Sequence, residues 1–352
     1  MLFLLCTEPY TTTTTERKNM NYNEYIETIR REIQIKMGDE FSITISQVNK
    51  NNGIMLKGIS INDKNNSLSP VFYLNDQYQV DIITSDKKTN RETRIRETVG
   101  DIIRLYYDHC VSANIDLELF KSYANIKDKV LFRLINFEKN KELLEEIPHK
   151  QFYDLAMVFY CDVKNDFFEN GSILLNNLRL EKWGVSIEEV FDDAMQNTPK
   201  LLKPITQTMV EVMKDLLEIR IYEKYGEDKE TKILVKEFLA KEYRDLDETD
   251  MKLDNHRYKM YVATNTQKLF GAAVLLYPNF IKDFANQVES DLYIFPSSVH
   301  EIIISPADQN QTRAELLKMV CEINATQVSP DEILADTVYH YHRAMDIIEV
   351  IK

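Results

Sequence analysis

Two short phrases carry the residue types from which catalysis or metal binding is built. In Phe295-Pro296-Ser297-Ser298-Val299-His300-Glu301, serine, histidine and an acid stand close together, the side chains of a nucleophile, a base and an orienting group. Ser297, Ser298, His300 and Glu301 are therefore the catalytic candidates, and their chemistry would be hydrolase-like. Catalytic triads, however, are assembled in space from distant positions. On a strand Ser298 and His300 share a face while Glu301 points away, and the chain has no G-x-S-x-G elbow. A turn between two strands is the better reading of this phrase. The second phrase, His340-Tyr341-His342, places two imidazoles on one face of a strand, where they could hold a metal ion if a third ligand converged. No H-E-x-x-H or Cys/His cluster accompanies them. His340 and His342 are the metal candidates, half-exposed strand residues are the alternative, and no metal or other cofactor is predicted.

Other constellations carry less. Asp245, Asp247 and Asp250 suggest calcium, but an EF-hand loop needs Gly and Glu where this chain has Asp250 and His256. A solvated acidic loop fits better. Cys6, Cys110, Cys161 and Cys321 are far apart, the pattern of a reducing compartment. Adjacent carboxylates such as Glu145/Glu146 and Glu188/Glu189 diverge by about 100° on a helix and make no acid/base pair. Only 8 glycines occur among 352 residues, and neither phosphate-loop fingerprint is present. The net charge of −14 disfavours a general nucleic-acid binder, which needs clustered Lys and Arg.

No apolar run approaches the ~20 residues of a membrane span. The opening Met1-Leu2-Phe3-Leu4-Leu5-Cys6 has no basic flank and falls short of the ~7–15 apolar residues of a signal peptide. Residues 1–19 are read as a non-native or disordered leader, and Met20 as the start. The expectation is a soluble, cytoplasmic protein.

The elements that must position these residues follow from periodicity. Tyr22, Tyr25, Ile26, Ile29, Ile33 and Met37 recur at helical spacing, and Gly38 stops the helix. Phe41, Ile43 and Ile45 alternate as a strand, Asn52-Gly53 marks a hairpin, and Ile54–Ile61 returns. Val71–Leu74 is a further apolar run, 84–90 a loop, and Ile95, Val99, Ile102 and Tyr106 share a helix face. Strands are predicted over 130–137, 155–163, 172–180 and 259–263, and as a pair over 292–295 and 301–304. Helices are predicted over 141–146, 206–218 and 279–288. Ser186/Glu189, Thr312/Glu315 and Ser329/Glu332 each form a capping box that opens a helix, the first of them closed by Pro199. Spacing alone does not decide between helix and strand over 338–351. Helices and strands are mixed rather than alternating, which predicts an α+β fold of mixed, mainly antiparallel sheets packed with amphipathic helices. An N-terminal lobe over 20–150 and a C-terminal lobe over 151–352 are expected.

Several phrases together resemble a family of bacterial proteins known only as a domain of unknown function, common in anaerobic Gram-positive gut bacteria and often near mobile elements. They are Asn51-Asn52-Gly53 with Gly58-Ile59, Ser69–Leu74, Leu134-Ile135-Asn136 with Lys139–Leu144, and Trp183-Gly184-Val185 with Ala194, Asn197, Thr198 and Pro199. Leu276-Tyr277-Pro278, Phe295–Glu301 and Asn324–Glu332 complete the set. The resemblance implies a bacterial cytosolic protein and supplies no activity, cofactor or catalytic residue. The sequence thus leads to a non-enzymatic interaction or regulatory protein with another protein as partner, mobile-element cargo being one setting. The alternative is a hydrolase-like enzyme using Ser297–Glu301.

Overall fold

A computed structural model of the chain describes residues 20–63, 70–83, 88–110, 120–163, 171–226, 228–242, 260–307 and 311–351. The leader 1–19, the acidic stretch Asp245–Asp250 and His256 lie outside the described residues. The chain divides into two units, one from Met1–Val48 and Met55–Ser112, the other from Asn49–Ile54 and Ala113–Lys352.

In the first unit, helix α1 (Tyr22–Met37) is closed by a reciprocal cap between Asn21 and Glu24 and ends at Gly38. Its apolar stripe, Tyr25, Ile26, Ile29 and Ile33, is buried. Strands β1 (Phe41–Asn49), β2 (Met55–Asp63) and β3 (Val71–Tyr73) form a sheet in that order. Gly58 permits the close approach of β3, because a Cβ there would lie 2.8 Å from the Phe72 carbonyl oxygen. Helices α2 (Asn75–Ile83) and α3 (Lys88–Leu105) complete the unit. Ile95, Val99 and Ile102 of α3 meet Ile43, Ile59 and Ile61 of the sheet. Residues 88–90, expected in a loop, are the first turn of α3.

The second unit holds two sheets. Strands β4 (Val130–Asn136), β5 (His149–Phe152), β6 (Leu155–Asp162) and β7 (Ser172–Leu174) form the first, with β6 paired antiparallel to the other three. The expected lobe boundary at 150 falls within β5, and β6 beyond it pairs with β4 before it. Helices α4 (Lys141–Glu146), α5 (Asn177–Trp183) and α6 (Ile187–Leu201) flank this sheet in sequence. Two expectations change here. The strand predicted over 172–180 stops at Leu174 and gives way to α5. Helix α6, capped by Ser186 and Glu189, runs through Pro199 to Leu201. A proline so near the end sacrifices a single helical bond, and Thr198 holds that turn by donating its hydroxyl to Ala194 O and accepting from Phe132 N.

The second sheet has the order β13-β12-β10-β11-β9-β8, with antiparallel neighbours. Its strands are β8 (Pro204–Thr208), β9 (Tyr261–Asn265), β10 (Leu292–Phe295), β11 (Ile302–Pro306), β12 (Val338–His342) and β13 (Ile347–Ile351). Between them lie α7 (Met209–Tyr225), α8 (Lys229–Glu242), α9 (Phe280–Gln287) and α10 (Arg313–Gln327). Leu292, Ile294, Tyr339 and Tyr341 join Phe132, Leu134 and Phe159 in the main core, while Tyr293, Phe295 and Val338 pack with Leu316 and Val320 of α10 on the opposite face. The mixed, mainly antiparallel α+β expectation is what the chain adopts.

Two sequence signals misplace elements. Residues 206–208, expected in a helix, end β8, and α7 begins only after its own Thr208/Glu211 cap. Ser329-Pro330-Asp331-Glu332 opens no helix. The chain makes one turn and then runs beside 296–299, with Val299 N bonded to Glu332 O, Leu334 N to Ser297 O, and Ala335 N to Pro296 O. Ser329 bonds Asp331 Oδ1 instead of capping. A capping box with no amphipathic run behind it yields to tertiary pairing.

Asp154, between β5 and β6, ties the two sheets together. It accepts from Thr337 Oγ1 and from the buried Tyr339 hydroxyl, each at 2.6 Å. Burial, followed by the neighbouring Asp154, drives the Tyr339 phenol above its ordinary pKa. Asp154→Ala removes both bonds and is expected to cost about 3 kcal/mol in urea denaturation, with Asp154→Asn recovering part of the loss.

Candidate functional site

Arg133 is the one charged residue of β4, whose other members are apolar except for the terminal Asn136. It lies on the strand between Leu131 and Ile135. Its guanidinium carbon sits 4.4 Å from the Phe270 ring centre, a cation–π distance. Among the described residues the buried Nε has no hydrogen-bond partner. Burial pulls the guanidinium pKa down, against a weaker upward pull from Tyr160. From so high an ordinary value it remains a cation.

Phe270 is held in the left-handed region at φ 52° and ψ 29°, a strained position for a bulky residue. Its ring also stacks on His300, with centroids 5.8 Å apart and planes 14° from parallel. Phe270 N donates to His300 Nδ1 at 3.2 Å, and His300 Nε2 lies 3.3 Å from Glu332 Oε1. A backbone N–H at Nδ1 fixes the neutral tautomer with its proton on Nε2, facing the acid.

Arg133, Phe270, His300, Glu332, Lys50 and Asn51 are among the residues lining a cleft of about 310 Å³ in the second unit. Asn51 donates through Nδ2 to Asp331 O at 2.8 Å, while its buried Oδ1 has no partner among the described residues. Two residues that line the cleft, Arg133 and Asn51, thus each carry a buried polar atom with no hydrogen-bond partner among the described residues. Three further asparagines fix the 330–336 segment that brings Glu332 here, and a fourth, Asn140, holds one of them. Asn52 bonds Pro330 O and Ile333 O, Asn136 bonds Leu334 O, and Asn324 bonds Ala335 O and Asp336. Asn140 receives Asn52 N and donates to Asn52 Oδ1.

The four catalytic candidates are not brought together as a hydrolase needs. Ser297 and Ser298 are buried, and Ser298 Oγ accepts from the backbone N of His300 at 3.0 Å, not from its ring. Glu301 does not line the cleft. Burial raises its carboxyl above the usual carboxylate range, His300 and Lys268 opposing and Glu332 reinforcing. A carboxyl whose folded pKa is raised holds its proton more tightly when folded, so stability falls as pH rises from the unfolded pKa through the folded one. Glu301→Gln is thus expected to stabilise the protein at pH 7 and not at pH 4, measured as urea midpoints at the two values.

His340 and His342 stand beside a carboxylate, Asp291, immediately before β10. Asp291 Oδ2 lies 3.6 Å from His340 Nε2 and 3.6 Å from His342 Nδ1. Burial, then the neighbouring His342, lowers the His340 pKa. The nearness of Asp291 was not legible, because nothing local in the sequence tells which strand lies beside β12. Arg133 was missed for a similar reason: a single arginine in an apolar strand gains meaning only once Phe270 and the cleft are in place.

Among the described residues no helix is long and apolar enough to cross a membrane. No curated protein matches the chain, and no solved structure does. Residues 22–343 match the model of a family of unknown function, DUF5688, and the chain belongs to that family.

Proposed function

We propose that this is a non-enzymatic regulatory protein whose second unit binds a small oxyanion, a carboxylate or phosphate group, through Arg133. The observation that carries the reading is a half-buried arginine lining a cleft, its buried Nε unbonded among the described residues. A half-buried cation with no counter-ion among the described residues is poorly solvated, a cost that a bound anion offsets. The planar fork of Arg matches carboxylate and phosphate oxygens, and the unmet Asn51 Oδ1 would accept from an N–H or O–H of the same ligand. The hydrolase alternative has less support. The His300 Nδ1 lone pair already accepts from Phe270 N, and Ser298 Oγ from His300 N, so neither is set up as base or nucleophile.

A protein partner is supported by the α7–α8 pair. Met213, Leu216, Ile219, Leu234 and Phe238 are each between 46% and 61% exposed there, an apolar surface of the kind that docks other proteins. A cytoplasmic, bacterial setting with mobile-element association goes with this reading, and the net charge of −14 weighs against nucleic acid.

The test is mass spectrometry of small molecules released from the purified, denatured protein. A carboxylate- or phosphate-bearing compound is expected from the wild type and not from Arg133→Met. Equal recovery from both, or none from the wild type, would rule the reading out.

A further inference from the structure

We propose that Asp291, His340 and His342 form a binding site for a borderline divalent transition-metal ion, with zinc as the representative ion. The strand register assembles it. Leu292 pairs with Tyr341 and Tyr293 with His340, which brings Asp291 alongside His342. From the other side, β13 sets Glu349 opposite His340. The ligand atoms of Asp291, His340 and His342 all lie within 4.8 Å of one another.

The spacing is that of ligands rather than of hydrogen-bond partners. Oδ2 is 3.6 Å from each imidazole nitrogen, too far for a hydrogen bond. Two donors each ~2.0–2.1 Å from one ion at a near-tetrahedral angle stand about 3.4 Å apart. A small inward movement of three side chains therefore closes the site. His340 Nε2 is buried and has no hydrogen-bond partner among the described residues; a metal bond would satisfy it.

The surrounding groups are already set for coordination. Arg343 N donates to Asp291 Oδ1 at 2.9 Å, which leaves Oδ2 to the ion. His342 Nε2 lies 3.3 Å from Glu349 Oε2. A carboxylate behind an imidazole keeps the proton on the outer nitrogen and turns the lone pair of the inner one, here Nδ1, toward the metal. Two imidazoles with one carboxylate suit zinc and its neighbours, whereas calcium and magnesium take oxygen ligands. Three protein ligands leave an open position for water or a further ligand. The two histidine side chains are 21% and 20% exposed, so an ion can reach them.

The site shares no residue with the Arg133 cleft and stands or falls separately. Its test is calorimetric titration of chelator-treated, full-length protein with zinc chloride, with cobalt(II) absorption spectra in parallel to report tetrahedral or five-coordinate nitrogen/oxygen ligation. One ion per chain is expected. Binding should weaken about 100-fold in Asp291→Asn and in His342→Asn, and about 10-fold in Glu349→Gln. Glu349 is 69% exposed at its side chain, so its variant keeps the test decisive should a ligand variant fail to fold. Absence of saturable zinc binding to the wild type, or unchanged affinity across the folded variants, would overturn the proposal.

Discussion

Gly271→Ala is expected to destabilise the protein by more than about 3 kcal/mol, enough to leave much of it unfolded at physiological temperature. An alanine Cβ there would overlap Thr264 Oγ1 and the His300 carbonyl oxygen and would come within 2.9 Å of Asn265 N. None of these can yield easily. Thr264 Oγ1 donates to the same His300 oxygen at 2.7 Å. Asn265 is fully buried and bonds Leu269 O and Gln267 N through its side chain. Relief would have to come from the backbone of 270–271, where Phe270 is already in the left-handed region. The variant should therefore lose the Phe270 contacts to Arg133 and His300 together with its stability, seen as a large fall in urea midpoint. A Gly271→Ala protein as stable as the wild type would show that the close approach is not required.

Arg133→Met is expected to move stability the other way, by a gain of about 1–3 kcal/mol, while abolishing oxyanion binding. Replacing buried charge with apolar side chains of similar size is often neutral or stabilising. Leu131, Ile135 and Phe270 offer methionine apolar neighbours, and its flexible chain fits an irregular space. Arg133→Lys separates charge from geometry: it keeps the cation, loses the planar fork, and should bind weakly with no comparable gain in stability. Opposite signs for stability and binding at one position mark a residue kept for its ligand. If Arg133→Met is instead strongly destabilised, the guanidinium is a structural group and the binding account fails.

The sequence announced local structure well where the signal and the cause were both local. Ser186 and Thr312 each cap the helix that follows them, and Asn52 and Gly53 both take positive φ in the turn between β1 and β2. Ser329 shows the limit, since its capping box is outcompeted by pairing with 296–299, which no local pattern contains. Site chemistry was less legible. Phe295–Glu301 does contribute His300 to a cleft, yet the role of that ring is set by Phe270, 30 positions earlier. The phrases that carry the family resemblance gain a physical meaning only in three dimensions. Asn51, Asn52, Asn136 and Asn324 form a set of amides that grips 330–336 beside Arg133, with Asn140 holding Asn52 in place. Likewise His340 and His342 were visible as a pair, while Asp291 required the register of β10 against β12.

Thermal unfolding of wild type and Arg133→Met in rising sulfate, phosphate and succinate at constant ionic strength decides whether Arg133 serves a small oxyanion. A ligand that binds only the folded state at about a hundred times its Kd stabilises it by about 2.7 kcal/mol. A saturating rise in wild-type midpoint is expected with at least one of these anions, with a flat response from Arg133→Met. Equal rises in both proteins, the signature of a general salt effect, or no rise in the wild type would contradict it.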